Sequence, residues 1–512
     1  MSKRSQHYAF VATKWMTASS YVTFITGALN SVIITHALGP QLYGVYSYVA
    51  WLITFVVGLT TGGFNITAIR SISAALGKDL SAPSAEALAI FGTLRRKLLT
   101  FLIAAAAALW ISTWFPHIYP YDLAKNISFY IVFVIACSAA KALYMFSFSA
   151  SKGFMAFETE AIGNITTGLI TPIIGTLLWR SHQGLVPFMA LLGASLFTQL
   201  GIAHALMRRR GFVARNATLS QDETHNLTRL LRWNLILSLI AQLNPKSIDT
   251  YLLGLMSLTV AVGQYSIAVN LSRAGADVLL AGFSAMLLPY ISRVQAQEGF
   301  AGVQGVFTTA VCVYQGIGLL LAGAGFLMGD FLILTLYGTP FAGAIRAFQI
   351  MSMVSGITLP LGANSAVLIA TDSVRLRTVY MLGMVAISLA SSLTLVPKLG
   401  FEGALISIPV GGALSYLFAN ILALKVINLR FPIRPAIVQF FCASLAFAAS
   451  MLVFPNRTTA ICSIAATLLF GSTFILLALN LGGWPRKDLD AACRQSKLLS
   501  RMLDLFWRRR SV

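Results

Sequence analysis

The chain is poor in charge and poorer still in acid. Of its 512 residues only 10% are charged, and 16 Asp and Glu stand against 37 Lys and Arg. Hydrophobic residues make up 57%, and the mean hydropathy is +0.78. A soluble protein of this composition would need an implausible amount of core. The five cysteines (Cys137, Cys312, Cys442, Cys462 and Cys493) have neither zinc-ligand spacing nor the pattern of a disulfide framework. No G-x-x-x-x-G-K-[ST] loop is present, which argues against ATP as a driving force. The six histidines are scattered, mostly at the ends of apolar runs, and form no nucleophile–base set. The chain is therefore read as a non-enzyme without a cofactor. Period-two alternation is also missing: a run such as FLIAAAAALWIST (101–113) excludes a membrane β-barrel.

What the chain does have is apolar runs long enough to cross a bilayer as helices, recurring down its whole length. Backbone groups in lipid must be satisfied within the segment, so these runs are expected to be helical. The predicted fold class is an all-α integral membrane protein with about fourteen spans. They lie near 15–38, 43–69, 96–115, 127–151, 160–179, 185–207, 231–254, 261–290, 306–328, 343–370, 376–396, 402–425, 436–454 and 458–480. The basic start (Lys3, Arg4, Lys14) leads into an apolar run longer than a signal-peptide core and without an A-x-A site, so it reads as a first membrane helix. The N-x-S/T triplets fall largely in spans or basic loops and are read as chance matches.

Lys and Arg favour cytoplasmic loops, and here they fix an orientation. With the N-terminus inside, the outer segments hold only Lys125, Arg180, Arg346, Lys398 and Arg457, and three basic residues lie within spans. All the others fall on the inner side, including the cluster Arg208, Arg209 and Arg210 and the tail. Both termini are thus expected in the cytoplasm. The net charge of +21 is spread over loops that would face anionic lipid, which argues against a nucleic-acid partner. The tail PRKDLDAACRQSKLLSRMLDLFWRRRSV (485–512) reads as a basic amphipathic interfacial helix.

The chain also repeats at half length. At an offset of 219, Tyr46 meets Tyr265, Ser47 meets Ser266, Gly63 meets Gly282 and Phe64 meets Phe283. Just upstream, THALG (35–39) meets TYLLG (250–254). An offset spanning six helices gives two copies of the same orientation, as in transporters that bind substrate between two halves. The predicted organisation is an N-terminal six-helix bundle (1–210), a basic cytoplasmic linker (211–230), a pseudo-twofold-related six-helix bundle (231–425), two extra helices (426–484) and the tail (485–512).

Charge within such spans costs about 3 kcal/mol or more per residue, so it needs a partner or a wet cavity. The stretch LNPKSIDTYLLG (243–254) carries Lys246 and, one turn on, Asp249; Pro245 beside them is a candidate hinge. Arg273 and Asp277 are four residues apart on the next span, and Lys141 stands without an acidic neighbour on its own helix. A structural role is one possibility: two self-satisfied pairs that fix helix packing, with Lys141 reaching toward the inner surface. The functional alternative is a hydrated cationic cavity for an anionic substrate. Lys141, Lys246 and Arg273 would bind that substrate, Arg273 through its planar fork, and Asp249 and Asp277 would balance charge or couple to H+ or Na+.

Several ordered blocks carry a family resemblance. LGPQLYGVYSYV (38–49), VGQYSIAVNLSRAGADVLLAGFSAMLLPYISR (262–293), LYGTPFAGAIRAFQIM (336–351), LGANSAVLIATDSVRLRTVYMLGMV (361–385) and LVPKLGFEGALISIPVGGALSYL (395–417) together resemble the Wzx-type polysaccharide flippases of the MOP superfamily, over about residues 14–425. The resemblance implies a bacterial inner-membrane transporter that moves an undecaprenyl-diphosphate-linked oligosaccharide to the periplasmic leaflet by alternating access of a cationic cavity. It also implies membrane lipids as surroundings, with a polysaccharide polymerase and chain-length proteins as partners. Lipid II flippases of the superfamily usually carry an Arg–Asp pair in the first span, where FITGALNSVIITHALGP (24–40) has no charge. Multidrug extrusion relatives usually have twelve spans and acidic cavities. A non-transporting scaffold would have no need of three buried cations.

Overall fold

The computed structural model describes residues 3–75, 84–212, 219–256, 258–370, 374–427, 429–455 and 459–484. The tail 485–512 and part of the linker (213–218) lie outside the described residues. No strand occurs among the described residues, and eight helical stretches among them are long and apolar enough to cross a membrane.

The longest helices explain themselves by their bends. Helix α1, Lys3–Ala75, runs for 73 residues. At 1.5 Å per residue that is roughly 110 Å, far beyond one crossing of a ~30 Å core. It turns at Gly39, whose φ of 67° favours glycine, and Pro40 follows without a backbone donor. The same device divides α9 (Thr259–Tyr337) at Gly299 and α12 (Val374–Ile427) at Gly400. Each bend falls in a connection expected between two apolar runs.

Packing divides the chain into two compact units. One comprises Met1–Ser266 with Val396–Phe401, the other Ile267–Leu395 with Glu402–Val512. The first holds α1, α2 (Ala85–Ser112), α3 (Tyr121–Ala124), α4 (Ile127–Gly153), α5 (Glu158–Arg180), α6 (Leu185–Arg209), α7 (Gln221–Gln242), α8 (Pro245–Leu255) and the start of α9. The expected linker at 211–230 is helical from Gln221, where Ser220 and Glu223 cap α7 reciprocally. The packing division comes later than that linker because α7 and α8 lie against α1.

The reason for that docking is a seam of glycines. A Cβ at Gly63 would stand 2.6 Å from the backbone nitrogen of Leu235, and one at Gly58 or Gly62 would collide with Gln242 or Ser238. Further along, Gly44 meets the carbonyl of Thr259 and Gly254 meets the ring of Tyr48. In lipid the tails are as apolar as the side chains, so close backbone approach and hydrogen bonds hold helices together. Both are present: Ser238 donates to the Gly58 carbonyl (3.2 Å), Asn234 to Thr67 (3.0 Å) and Lys97 to Thr228 (2.7 Å). Around the seam Val57, Phe64, Ile72, Leu94, Phe146 and Leu231 form a buried cluster.

The second unit contains the rest of α9, then α10 (Gly343–Thr358), α11 (Leu361–Ala370), most of α12, α13 (Ile433–Val453) and α14 (Ala460–Asn480). Gly318 of α9 and Gly356 of α10 cross so closely that a Cβ on either would strike the other's carbonyl. The last two helices are tied on by amides. Buried Gln439 donates to the carbonyls of Cys312 (3.2 Å) and Gly483 (2.8 Å), and Gln315 donates to that of Ala436 (3.0 Å). Trp484 closes the corner against Gly316 and Phe474.

The seam makes a direct prediction. Gly63→Val places atoms into fixed backbone and should lower stability by about 1–3 kcal/mol. Gly27→Ala adds its methyl to open space and should leave stability unchanged. Thermal unfolding of the purified protein in detergent reads both; equal midpoints for the two variants would contradict the seam.

Candidate functional site

The stretch around Lys246 is a stop and a restart rather than a bent helix. Helix α7 ends at Gln242, and Leu243 (φ −80°, ψ 37°) leaves the helical region. Proline suits a first helical turn, where its missing donor has no carbonyl to serve, and Pro245 opens α8. Asn244 bridges the break with both ends of its amide. Its Oδ1 accepts from the Ser247 nitrogen (3.0 Å), and its Nδ2 donates to the Ala241 carbonyl (3.2 Å). The side chain of Pro245 lies outside the described residues.

Lys246 is half-buried on the first turn of α8. Asp249 is fully buried and accepts a hydrogen bond from the hydroxyl of Tyr265 at 2.8 Å. Tyr265, itself without exposed surface, lies near the start of α9, so the bond fastens α8 to the helix that follows it. Sequence reasoning noticed Tyr265 only as a repeat match to Tyr46. No spacing rule announces a tyrosine–carboxyl bond across a helix connection.

Lys141 sits midway along α4, about 21 Å from its first residue at 1.5 Å per residue. Its Nζ donates to Thr54 Oγ1 of α1 at 2.9 Å, so the ammonium is held within the first unit at mid-helix depth. Next to Thr54 stands an aromatic cluster that the sequence reading did not single out. Trp51 packs against Tyr48 (5.2 Å between ring centres), Phe55 (5.3 Å) and Tyr251 of α8 (6.3 Å). The indole Nε1 of Trp51 is buried and, among the described residues, makes no hydrogen bond. Helical spacing was the available signal: Tyr48, Trp51 and Phe55 recur at three and four residues.

Arg273 is exposed on α9 and belongs to the second unit. The side chain of Asp277 lies outside the described residues. The first unit thus holds Lys141, Lys246 and Asp249, and the second holds Arg273. No cluster of three or more His, Cys, Asp or Glu able to hold a metal occurs among the described residues.

A helical membrane chain with a lysine bonded at mid-helix depth, an aromatic cluster on the neighbouring stretch of α1 and glycine-bent long helices has the attributes of a transporter. A family model described as polysaccharide biosynthesis protein matches residues 12–295, more than half of the chain. The chain belongs to the polysaccharide biosynthesis protein family. Its fold is that of MOP superfamily transporters. The structure of the lipid II flippase MurJ in an inward closed conformation aligns with a TM-score of 0.68 at 11% identity, covering 91% of this chain and 98% of that one. An inward-facing multidrug resistance MATE transporter of the same superfamily aligns at 0.63 and 12% identity, covering 79% and 94%. A MOP superfamily transporter from Pyrococcus furiosus aligns at 0.54 and 14% identity, covering 81% and 94%. At these identities the likeness is one of fold. No curated protein matches the sequence.

The buried tyrosine–carboxyl bond is testable without a substrate. Tyr265→Phe keeps the ring and removes the donor from fully buried Asp249, which should cost about 1.5–3 kcal/mol. Thermal unfolding in detergent measures it. A midpoint equal to the parent's would show that the bond does not fasten α8 to α9.

Proposed function

We propose that this protein is a flippase that carries an undecaprenyl-diphosphate-linked oligosaccharide from the cytoplasmic to the periplasmic leaflet of a bacterial inner membrane. The product feeds a surface polysaccharide: an O-antigen, capsule or exopolysaccharide. The observation that carries the reading is Lys141, a cation held at mid-helix depth by Thr54, which adjoins Phe55 of an aromatic cluster on α1. A lipid-linked glycan head combines a diphosphate with sugar rings. Cations meet the diphosphate's charge, whose passage through hydrocarbon is otherwise prohibitive. Aromatic faces suit the apolar faces of sugar rings. Family membership and the predominance of basic over acidic residues support the same choice.

In this reading Lys141 and Lys246 act as point charges and Arg273 as a bidentate donor to phosphate oxygens. Alternating access lets the head pass while the lipid tail stays in the bilayer, across fourteen spans with both termini cytoplasmic. Asp249 and Asp277 balance the cations or couple the cycle to H+ or Na+, and the break at Asn244–Pro245 is the hinge. Binding must differ between the two states, since a head held equally well in both is not moved by the change.

A second reading draws on the likeness to MurJ: the chain flips lipid II. The uncharged stretch FITGALNSVIITHALGP disfavours it.

Cells decide between the readings. A null strain should accumulate a lipid-linked oligosaccharide on the cytoplasmic face and regain surface polymer with the parent gene. Lys141→Ala, Lys246→Ala and Arg273→Ala should each lower polymer output by about tenfold or more at equal membrane abundance, the scale of a lost charge-assisted hydrogen bond of roughly 1.5–3 kcal/mol. Arg273→Lys should recover part of it. Full complementation by all three alanine variants would make the charges structural. Rescue of a strain depleted of its lipid II flippase would favour the second reading.

A further inference from the structure

Away from the candidate substrate residues, the first unit contains a cavity of about 630 Å³ at the end where α6 finishes. It is bounded by α2, α4 and α6 and is mostly apolar, with Phe91, Leu143, Phe146 and Phe197 among its walls. One face of α6 organises it. Phe197, Gly201, His204 and Arg208 succeed one another at intervals of four, three and four residues, so they lie in one row along the helix. The row passes from an aromatic ring, through a gap, to two basic groups at the helix end. On α2, Phe91 and Arg95 repeat the order, apolar then basic, one turn apart.

The gap is the informative element. A glycine inside a helix costs about 1 kcal/mol relative to alanine and usually has a packing reason. Gly201 has no such reason: a Cβ there would meet nothing within 4 Å. It differs from the glycines of the α1 seam, each of which admits a neighbouring helix, and its missing side chain leaves the groove open.

The charges at the mouth are the second element. Two nearby cations are matched, Lys152 to Glu160 at 2.5 Å and Arg210 to Glu158. Among the described residues neither Arg95 nor Arg208 has an acidic partner. Two unmatched guanidinium groups and an imidazole therefore edge a slot with aromatic and aliphatic walls in a membrane-spanning protein. Basic pockets between membrane helices at a bilayer surface take anionic lipid headgroups.

We propose that this groove is a binding site for an anionic phospholipid. Its headgroup phosphate lies between Arg95 and Arg208 with His204 beside it, and an acyl chain runs past Gly201 along Phe146 and Phe197. The surrounding bilayer supplies the occupant at high local concentration. The inference uses the membrane-embedded fold but not the glycan reading, so either can fail alone.

Native mass spectrometry of the purified, delipidated full chain tests it with three probes: phosphatidylglycerol, phosphatidylcholine and undecaprenyl phosphate. Phosphatidylglycerol should bind more tightly than the other two. Arg95→Gln and Arg208→Gln should each weaken it about fivefold, the effect expected of one basic group at a membrane surface. Gly201→Leu, whose side chain enters open space, should weaken it at least as much with an unchanged unfolding midpoint. If its midpoint falls, Gly201→Ala, one methyl larger than the parent, is the variant to read. Phosphatidylglycerol affinity equal to the parent's in these variants would overturn the proposal. So would equal binding of phosphatidylcholine, or tighter binding of undecaprenyl phosphate, which would assign the groove to the carrier lipid.

Discussion

Backbone-to-backbone contact along the second half of α1 is the interaction on which the first unit depends. Gly63 meets the backbone of Leu235 in α7 and Gly44 that of Thr259 at the start of α9 at distances that no added side chain tolerates, while Gly58 and Gly62 make room for the side chains of Gln242 and Ser238. A soluble protein would add the expulsion of water to such a contact, but a membrane offers no such gain. What remains is dispersion between closely apposed surfaces and the hydrogen bonds from Asn234 and Ser238 that the approach permits. The seam also sets the position of everything attached to it. Helix α8 is brought in through Gly254 against Tyr48, which carries Tyr251 to Trp51 and leaves Asp249 under Tyr265.

Two kinds of polar group then coexist at depth. Gln315 and Gln439 are spent on backbone carbonyls and serve as ties between helices. Lys141 differs from them. It contacts a threonine hydroxyl, a partner that satisfies one of its three donors without neutralising its charge. A half-buried lysine bonded to a hydroxyl suits contact with a moving anion better than it suits helix packing. The same distinction separates Arg210, matched by Glu158, from Arg208 at the edge of the lipid groove.

Much of the fold was legible in the sequence because lipid imposes a simple grammar. Apolar run length gave the helices, and the bends at Gly39, Gly299 and Gly400 fall where runs were expected to end. The local geometry at the candidate hinge Pro245 was not legible, since Asn244 caps a new helix there rather than leaving one bent helix. The boundary of the first unit was not legible. A composition shift marks residues 211–230, whereas packing follows glycines whose partners lie up to 215 residues away, as Gly44 and Thr259 do. At the site, the charged residues stood out against an apolar background. Their partners did not: Thr54 is one of many threonines, and nothing in its neighbourhood points to a lysine 87 residues further on. Gly201 was equally silent, because a glycine that opens a groove and one that closes a helix contact look alike in a sequence.

The central claim is that a cation at mid-helix depth moves the charged head of a lipid-linked glycan. Purified protein in vesicles containing a fluorescent undecaprenyl-diphosphate oligosaccharide tests it most directly, with a membrane-impermeant quencher reporting the leaflet of the probe. The account predicts transfer between leaflets with the parent protein and a rate at least about tenfold lower with Lys141→Ala at equal reconstitution. Equal rates for the two proteins, or no transfer by the parent, would contradict it.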